Sequence, residues 1–568
     1  MTKEKKQPEL ADHIFGDLDK SPKNLRYHRQ RVLGVHHWDQ VKQLQAKDGY
    51  ELAFTSSTHS QLSVQSLTLE WSDDDWATRQ ELAFEKTELM WDTLTWGWLQ
   101  NWQAQLQVQP EKLIRYYVKA KLSNGQTIYA DNQAKTEKQA TQFAQWLSPA
   151  NVAPAWSKTA RIYQIYLDRF NPGSGSDWLQ TEDVTKHFGG TLRGVIEKLD
   201  YIRELGFNTI WLTPIFRSPS HHGYDSSDYT QIEPQIGTEA DLEELVTKAH
   251  QRGLRILLDF VANHCSDQHP VFQKELKGSE APQTSWFRWQ KWPEKYACFF
   301  KVKSMPEFDL SYGSPARTHL LEVAQKWLRF GVDGYRLDYA NGPERDFWVD
   351  FQRACLQVHP LCWTFGEVVA PVDELLQFSG SMHGTLDFLT CQALRETFAR
   401  GIWSASRLAS YLETSLQAFP QAYSRPSFID NHDMNRFFFT AGENKAALHA
   451  ALTLLFLLPQ PPLLYYGTEV PLSQMKSIHD HDSVGFDVSR LAMDWDEEKD
   501  PKSRILIRSL SKFREENAWL AEAHWETSSF SRDGTRATME VSRDGHKLRV
   551  TILQDKNKPL VFFQVDPR

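Results

Sequence analysis

From about residue 50 to 130 apolar and polar positions alternate in short runs, the period of half-buried strands. In one of them Ile114, Tyr116, Val118 and Ala120 fall on a single face, and Asn124-Gly125 supplies a hairpin turn. This pattern predicts an N-terminal β-sandwich over 46–147, preceded by a polar, Lys- and Gln-rich segment at 1–45 and followed by a Pro- and Ala-containing linker. The period then changes. Strand patterns at 161–170, 207–216, 254–264, 331–338, 362–368, 383–389, 426–433 and 461–470 alternate with helical ones such as 188–206, 241–253 and 319–331. Such alternation means parallel strands joined by helical crossovers. Eight units of this kind predict an α/β fold, a (β/α)8 TIM barrel over 157–510, with a lobe at 265–318 inserted after the third strand. Past that point Ala537, Met539 and Val541, then Asp544-Gly545, then Leu548, Val550 and Ile552 read as a hairpin, which predicts an antiparallel β domain at 511–568.

Composition narrows the function classes. The 568 residues carry a net charge of −9, against nucleic acid or an acidic membrane surface as partner. Hydrophobic residues at 40% and charged residues at 24% suit a globular protein with a substantial core. The five cysteines are scattered and odd in number, which is no disulfide framework or metal pattern. The N-terminal lysines have no apolar run behind them, so no signal peptide is expected, and no window is apolar enough to span a membrane. The expected location is cytoplasmic.

The chemistry collects at strand ends. The 331–338 strand ends Arg336-Leu337-Asp338, and strand periodicity points Arg336 and Asp338 the same way. A neighbouring cation lowers a carboxyl pKa, so Arg336 is expected to keep Asp338 ionised. An isolated Arg-x-Asp is ordinarily a structural ion pair. Here three further segments end in polar residues: Asp259 through Asn263-His264, Gly366-Glu367, and Asp430-Asn431-His432-Asp433. Only a closed barrel brings acids so far apart in sequence to one mouth.

These segments, DFVANH, GYRLDYAN, FGEV and FIDNHD, resemble the four short motifs of the α-amylase family of glycoside hydrolases, in the family's order. YQIYLDRF, LTPIF, SHHGYDSSDY, MPEFDL and LLYYGTEV add to the likeness, which covers roughly 160–510. The sandwich looks similar to the N-terminal domain of the cyclomaltodextrinase, neopullulanase and maltogenic amylase branch. The resemblance implies retaining hydrolysis of α-1,4-glucosidic bonds in maltodextrins, cyclodextrins or pullulan. Asp338 is the implied nucleophile, Glu367 the acid and base, and Asp433 the third acid, which grips hydroxyls as the ring distorts. His264 and His432 are implied to hold the sugar, Tyr224 to stack beneath it, and Asp225 to orient Arg336. No cofactor is implied as required. Calcium is left open, with Asn171, Asp177 and Asn263 as candidate ligands. The branch also implies a homodimer through the N-terminal domain, whose segment with Trp91, Trp96, Trp98 and Trp102 suits either a partner surface or a sandwich core.

The chain departs from the branch after the nucleophile, where Tyr339-Ala340-Asn341-Gly342 lacks its usual acidic residue, and in the lobe at Met305–Leu310. It departs again after the last strand, in HDHDSVGFDVSRLAMDWDEE. Two alternatives stay open: an α-glucan transglycosylase using the same residues, and a non-catalytic glucan-binding protein on an amylase-like barrel, which predicts loss of one or more acids.

Overall fold

The computed structural model describes residues 34–566, apart from 47–48, 93–96, 174, 180, 279–281, 481–483, 497–499 and 556. Most of the expected N-terminal polar segment and Trp96 therefore lie outside the described residues.

Two antiparallel sheets form the N-terminal sandwich. One orders its strands Val35–Ala46, Gly49–His59, Gly97–Val108 and Glu85–Asp92; the other orders Gln80–Ala83, Val64–Ser72, Leu113–Leu122 and Thr127–Tyr129, with Phe143–Trp146 also on Leu113–Leu122. Leu52, Phe54 and Trp102 of the first sheet meet Leu67, Leu69, Ile114, Tyr116 and Val118 of the second in one buried cluster. The first strand starts at Val35, ahead of the alternating stretch, because it is an edge strand with little apolar content to reveal it.

The central sheet is parallel, with strands Ile162–Ile165, Thr209–Leu212, Arg255–Val261, Gly334–Asp338, Trp363–Gly366 and Leu463–Tyr465. The sixth and seventh positions of the ring are reduced to single bridges. Gly366 pairs with Thr385, Gly384 with Ser424, and Ser427 with Pro462, so backbone bonding runs from the fifth strand to the last and closes the barrel. Proline at 426, 461 and 462 removes the amide donors that longer strands would use there. Trp211, Leu257, Trp363, Phe365, Phe428 and Leu463 fill the barrel interior and seal it below the C-terminal mouth.

The fourth strand is placed with care. Its feeding helix, Pro315–Phe330, starts on the Ser314 hydroxyl, which accepts from the Arg317 amide, and ends at Gly331 with φ 111°. Gly334 opens the strand where a Cβ would come 2.0 Å from the Trp363 carbonyl oxygen. Only glycine lets the fourth and fifth strands approach so closely, and these two carry Asp338 and Glu367.

The lobe packs Phe272, Phe287 and Phe308 together and is tied to the barrel by the Phe308 amide, which donates to Asn263 O at 3.0 Å. The sandwich is anchored through Arg115, which donates to Asp350 at 2.9 Å, while Asp350 also takes Arg317. At the C-terminus, strands His524–Phe530, Arg536–Arg543, His546–Leu553 and Leu560–Val565 form one antiparallel sheet. Its inward residues Ala537, Met539, Val541, Val550 and Ile552 join the barrel core, and the helix Pro501–Glu516 leads into it.

Candidate active site

Arg336 organises the mouth of the barrel. It is fully buried, and its Nη1 donates to Asp259 Oδ1 at 2.7 Å, Asp259 Oδ2 at 2.9 Å and Asp338 Oδ1 at 2.8 Å. Its Nη2 lies 2.7 Å from Glu367 Oε2, which also accepts from the Tyr339 amide at 3.1 Å. One cation thus sits among three carboxylates from three adjacent strands. Asp259 takes two more donors, Trp211 Nε1 at 3.1 Å and Tyr224 Oη at 2.9 Å, so its oxygens are saturated while Asp338 and Glu367 each keep one free for other work.

Burial pushes the carboxyls of both Asp338 and Glu367 up, each to about 7, and Arg336 opposes this. The expectation that Arg336 keeps Asp338 low is therefore corrected. The guanidinium is divided among three acids, and desolvation outweighs its share at Asp338. Two such acids, both facing Arg336, titrate as a pair.

Asp433 sits in the opposite electrostatic setting. Arg490 Nη2 donates to its Oδ1 at 2.8 Å, and His432 Nε2 lies 3.0 Å from its Oδ2. Burial alone would raise this carboxyl; His432 and Arg490 more than reverse that and hold it well below the usual range. Arg490 also donates to the His432 carbonyl at 2.9 Å and to Asp487 at 3.1 Å.

The histidines are set by their neighbours. Gln164 Nε2 donates to His432 Nδ1 at 2.7 Å, which leaves the proton on Nε2. Nε2 then points at Tyr224 Oη, 2.5 Å away, and the two rings stack 5.2 Å apart with planes at 4°. His264 is buried against Phe299, ring centroids 4.2 Å apart, and burial pushes its pKa down to about 3. Its Nε2 has no hydrogen-bond partner, although buried donors and acceptors normally have one.

Seven of the eight expected catalytic and sugar-binding residues line this mouth: Asp338, Glu367, Asp433, Tyr224, His264, Arg336 and His432. Asp225 does not reach Arg336. Its carboxylate instead accepts from Ser218 Oγ at 2.6 Å and from Ser220 Oγ, bonds that fold the 218–225 loop back on itself. The role expected of Asp225 belongs to Asp259. Asp259 stands in the DFVANH segment, but its partner is 77 residues away, beyond local spacing. Arg490 was also missed. It lies in the irregular stretch after the last strand, where no periodicity marks it.

The candidate calcium ligands have these surroundings. Asn171 uses its amide nitrogen on the Gly194 carbonyl at 3.0 Å, Asp177 is exposed, and Asn263 is buried against His264. Among the described residues no group of three or more His, Cys, Asp or Glu could hold a metal ion.

Known proteins are similar to this chain. The family described as "Alpha amylase, catalytic domain" matches residues 164–531. "Alpha-amylase 2" of Dictyoglomus thermophilum is 38% identical over 381 residues, 66% of this chain and 67% of that protein. "Intracellular maltogenic amylase" of Bacillus subtilis is 32% identical over 391 residues, 66% of this chain and 65% of that protein, so each match spans about two thirds of the relative. A solved structure named "Cyclomaltodextrinase" superposes over 92% of both chains with a TM-score of 0.67 at 24% identity, which extends the shared fold to the flanking domains. The chain belongs to the α-amylase family of glycoside hydrolases.

Proposed function

We propose that the chain hydrolyses α-1,4-glucosidic bonds of maltodextrins, cyclodextrins or related α-glucans such as pullulan, with retention at the anomeric carbon. The observation that carries this is the single guanidinium of Arg336 gripping one oxygen of Asp338 and one of Glu367. Asp338 Oδ2, the oxygen outside that grip, attacks the anomeric carbon. The glycosidic C–O bond breaks as Glu367 passes its proton to the leaving oxygen, and a glycosyl ester forms on Asp338. Glu367 then takes a proton from water, the water oxygen bonds the anomeric carbon, and the ester breaks. Asp433, kept ionised by Arg490, holds sugar hydroxyls more tightly as the ring flattens, which favours the transition state over the ground state. Tyr224 is read as stacking beneath that sugar, and His264 and His432 as holding its hydroxyls.

The test is product analysis on β-cyclodextrin, pullulan and soluble starch at equal mass, with Asp338→Asn as the blank. Wild-type cleavage that the blank lacks supports the reading. Products identical in both on all three glucans would end it.

The chain is further read as cytoplasmic, in keeping with the intracellular relative; among the described residues no helix is long and apolar enough to cross a membrane. It is also read as a homodimer joined through its N-terminal domain. Trp102 is buried and bonded to Thr58, but Leu89, Met90, Trp91 and Trp98 leave an apolar patch 42–55% exposed on the edge of the sandwich. Sedimentation equilibrium decides this: a single species of monomer mass rules the dimer out.

A further inference from the structure

The end of the barrel opposite the catalytic mouth carries a second concentration of charge. Arg161 stands just before the first barrel strand, Ile162–Ile165, and Asn208 just before the second, Thr209–Leu212. The Asn208 side chain accepts from the Arg161 amide at 2.8 Å and donates to the Thr159 carbonyl at 3.1 Å, which ties the two strand starts together. The helix Pro501–Glu516 brings Arg514 and Glu515 to the same place. Between these elements lies a recess of about 210 Å³, whose wall also includes Lys158 and Ala521.

The cations here are short of anionic partners. Buried arginines are ordinarily paired with an acid. Arg514 is buried and donates to the carbonyls of Phe456 at 3.0 Å, Pro459 at 2.9 Å and Gln460 at 2.8 Å, and to that of Leu458, with no carboxylate among these partners. Burial and the like charge of Arg161 push the Arg514 guanidinium down to about 9. Arg161 is buried too, and Arg203 acts on it as a further like charge. Its Nε donates to the Gly206 carbonyl at 2.5 Å. Its Nη2, however, meets Glu515 Oε2 only at 3.5 Å, and that carboxylate is 56% exposed. Lys158 pairs with Glu522, which is shared with Arg543. Arg161 thus offers an edge to an anionic oxygen that the chain's own acids fill poorly.

Lys158 and Ala521 also line a chamber of about 920 Å³ that adjoins the recess. Pro154, Phe419, Pro420, Tyr423 and Pro461 give it apolar faces. Trp525 stands in the same wall, 1% exposed, and its indole Nε1 has no hydrogen-bond partner, although buried donors normally have one. An underused guanidinium beside a roomy, largely apolar chamber with an unused N–H donor has the make-up of a ligand site. We propose that this is a binding site for a small phosphate monoester such as a sugar phosphate, with its phosphate on Arg161 and Lys158 and its organic body in the chamber beside Phe419 and Trp525. Guanidinium and ammonium groups suit the phosphate oxygens. The apolar faces pack on the C–H face of a sugar ring, and the indole N–H donates to one of its oxygens. The site lies at the far end of the barrel from the mouth and is independent of the hydrolysis proposed there.

Isothermal titration calorimetry of the full chain with glucose 6-phosphate, inorganic phosphate and glucose tests the site. Glucose 6-phosphate is expected to bind about tenfold more tightly than inorganic phosphate, and glucose to give no saturable heat over the same range. Arg161→Gln is expected to weaken the ester about tenfold while keeping the wild-type circular dichroism spectrum. Glu515→Gln removes the half-exposed carboxylate that competes for Arg161. It is expected to tighten the ester severalfold, a gain that mere disturbance of the fold does not produce. The proposal is overturned if glucose 6-phosphate fails to bind or binds no better than inorganic phosphate. It is equally overturned if Arg161→Gln leaves the affinity for the ester unchanged, or if Glu515→Gln leaves it unchanged or weakens it.

Discussion

Arg336 Nη1 lies 2.7 Å from Asp259 Oδ1, and neither side chain has any exposed surface. The arginine that serves Asp338 and Glu367 is thus fixed from the third strand. Removing one partner of a buried ion pair strands the other, a loss of about 3–5 kcal/mol. Asp259→Ala is expected to lower stability by that order in urea unfolding and to abolish measurable turnover. Asp225→Asn, which only loosens the 218–225 loop, is expected to keep most of the turnover. Equal losses in the two variants would return Asp225 to the site.

Arg490 acts on Asp433 from the loop after the last strand. A carboxyl held below its ordinary pKa contributes stability above the unfolded value, and that contribution is lost as pH falls through the folded value. Arg490→Gln withdraws one of the groups that depress Asp433. The Asp433 carboxyl is expected to titrate at higher pH in Arg490→Gln than in the wild type, followed by its carbon-13 carboxyl resonance, with partial return in Arg490→Lys. An Asp433 titration unchanged in Arg490→Gln contradicts the assignment.

Asp338 and Glu367 carry the opposite sign. Burial raises both to about 7, so across the window from the ordinary carboxyl range up to that value the folded chain binds more protons than the unfolded one. Stability from this pair is present at low pH and is lost as pH rises through about 7. Glu367→Gln cannot take up the charge. Its Tm relative to wild type is expected to climb between about pH 5 and about pH 8. A difference independent of pH would mean that the pair is not raised by burial.

What the sequence showed and what it hid divides along physical lines. Strand periodicity, glycine-ended helices and acids at strand ends are local, so the barrel could be read from spacing, whereas the mouth residues and their roles came with the resemblance to the α-amylase family. The sixth and seventh barrel positions pair over so few residues, around Gly384, Ser424 and Ser427, that no strand-length pattern was needed to form them. The strand from Val35 was hidden because its sequence is largely polar. Asp259 and Arg490 were hidden because their roles exist only after folding, across 77 residues to Arg336 and 57 to Asp433. The pKa of Asp338 was misjudged because neither burial nor the sharing of Arg336 among three acids is visible in an Arg-x-Asp motif.

The central claim is that Asp338 forms the covalent bond. Incubation with 5-fluoro-α-D-glucosyl fluoride, whose ring fluorine slows breakdown of the glycosyl ester, followed by peptide mass mapping, tests it directly. The account predicts one added fluoroglucosyl group on the peptide bearing Asp338, slow recovery of activity when acceptor sugar is added, and no labelling of Asp338→Asn. A label on Glu367, on Asp433 or on any other peptide would contradict it.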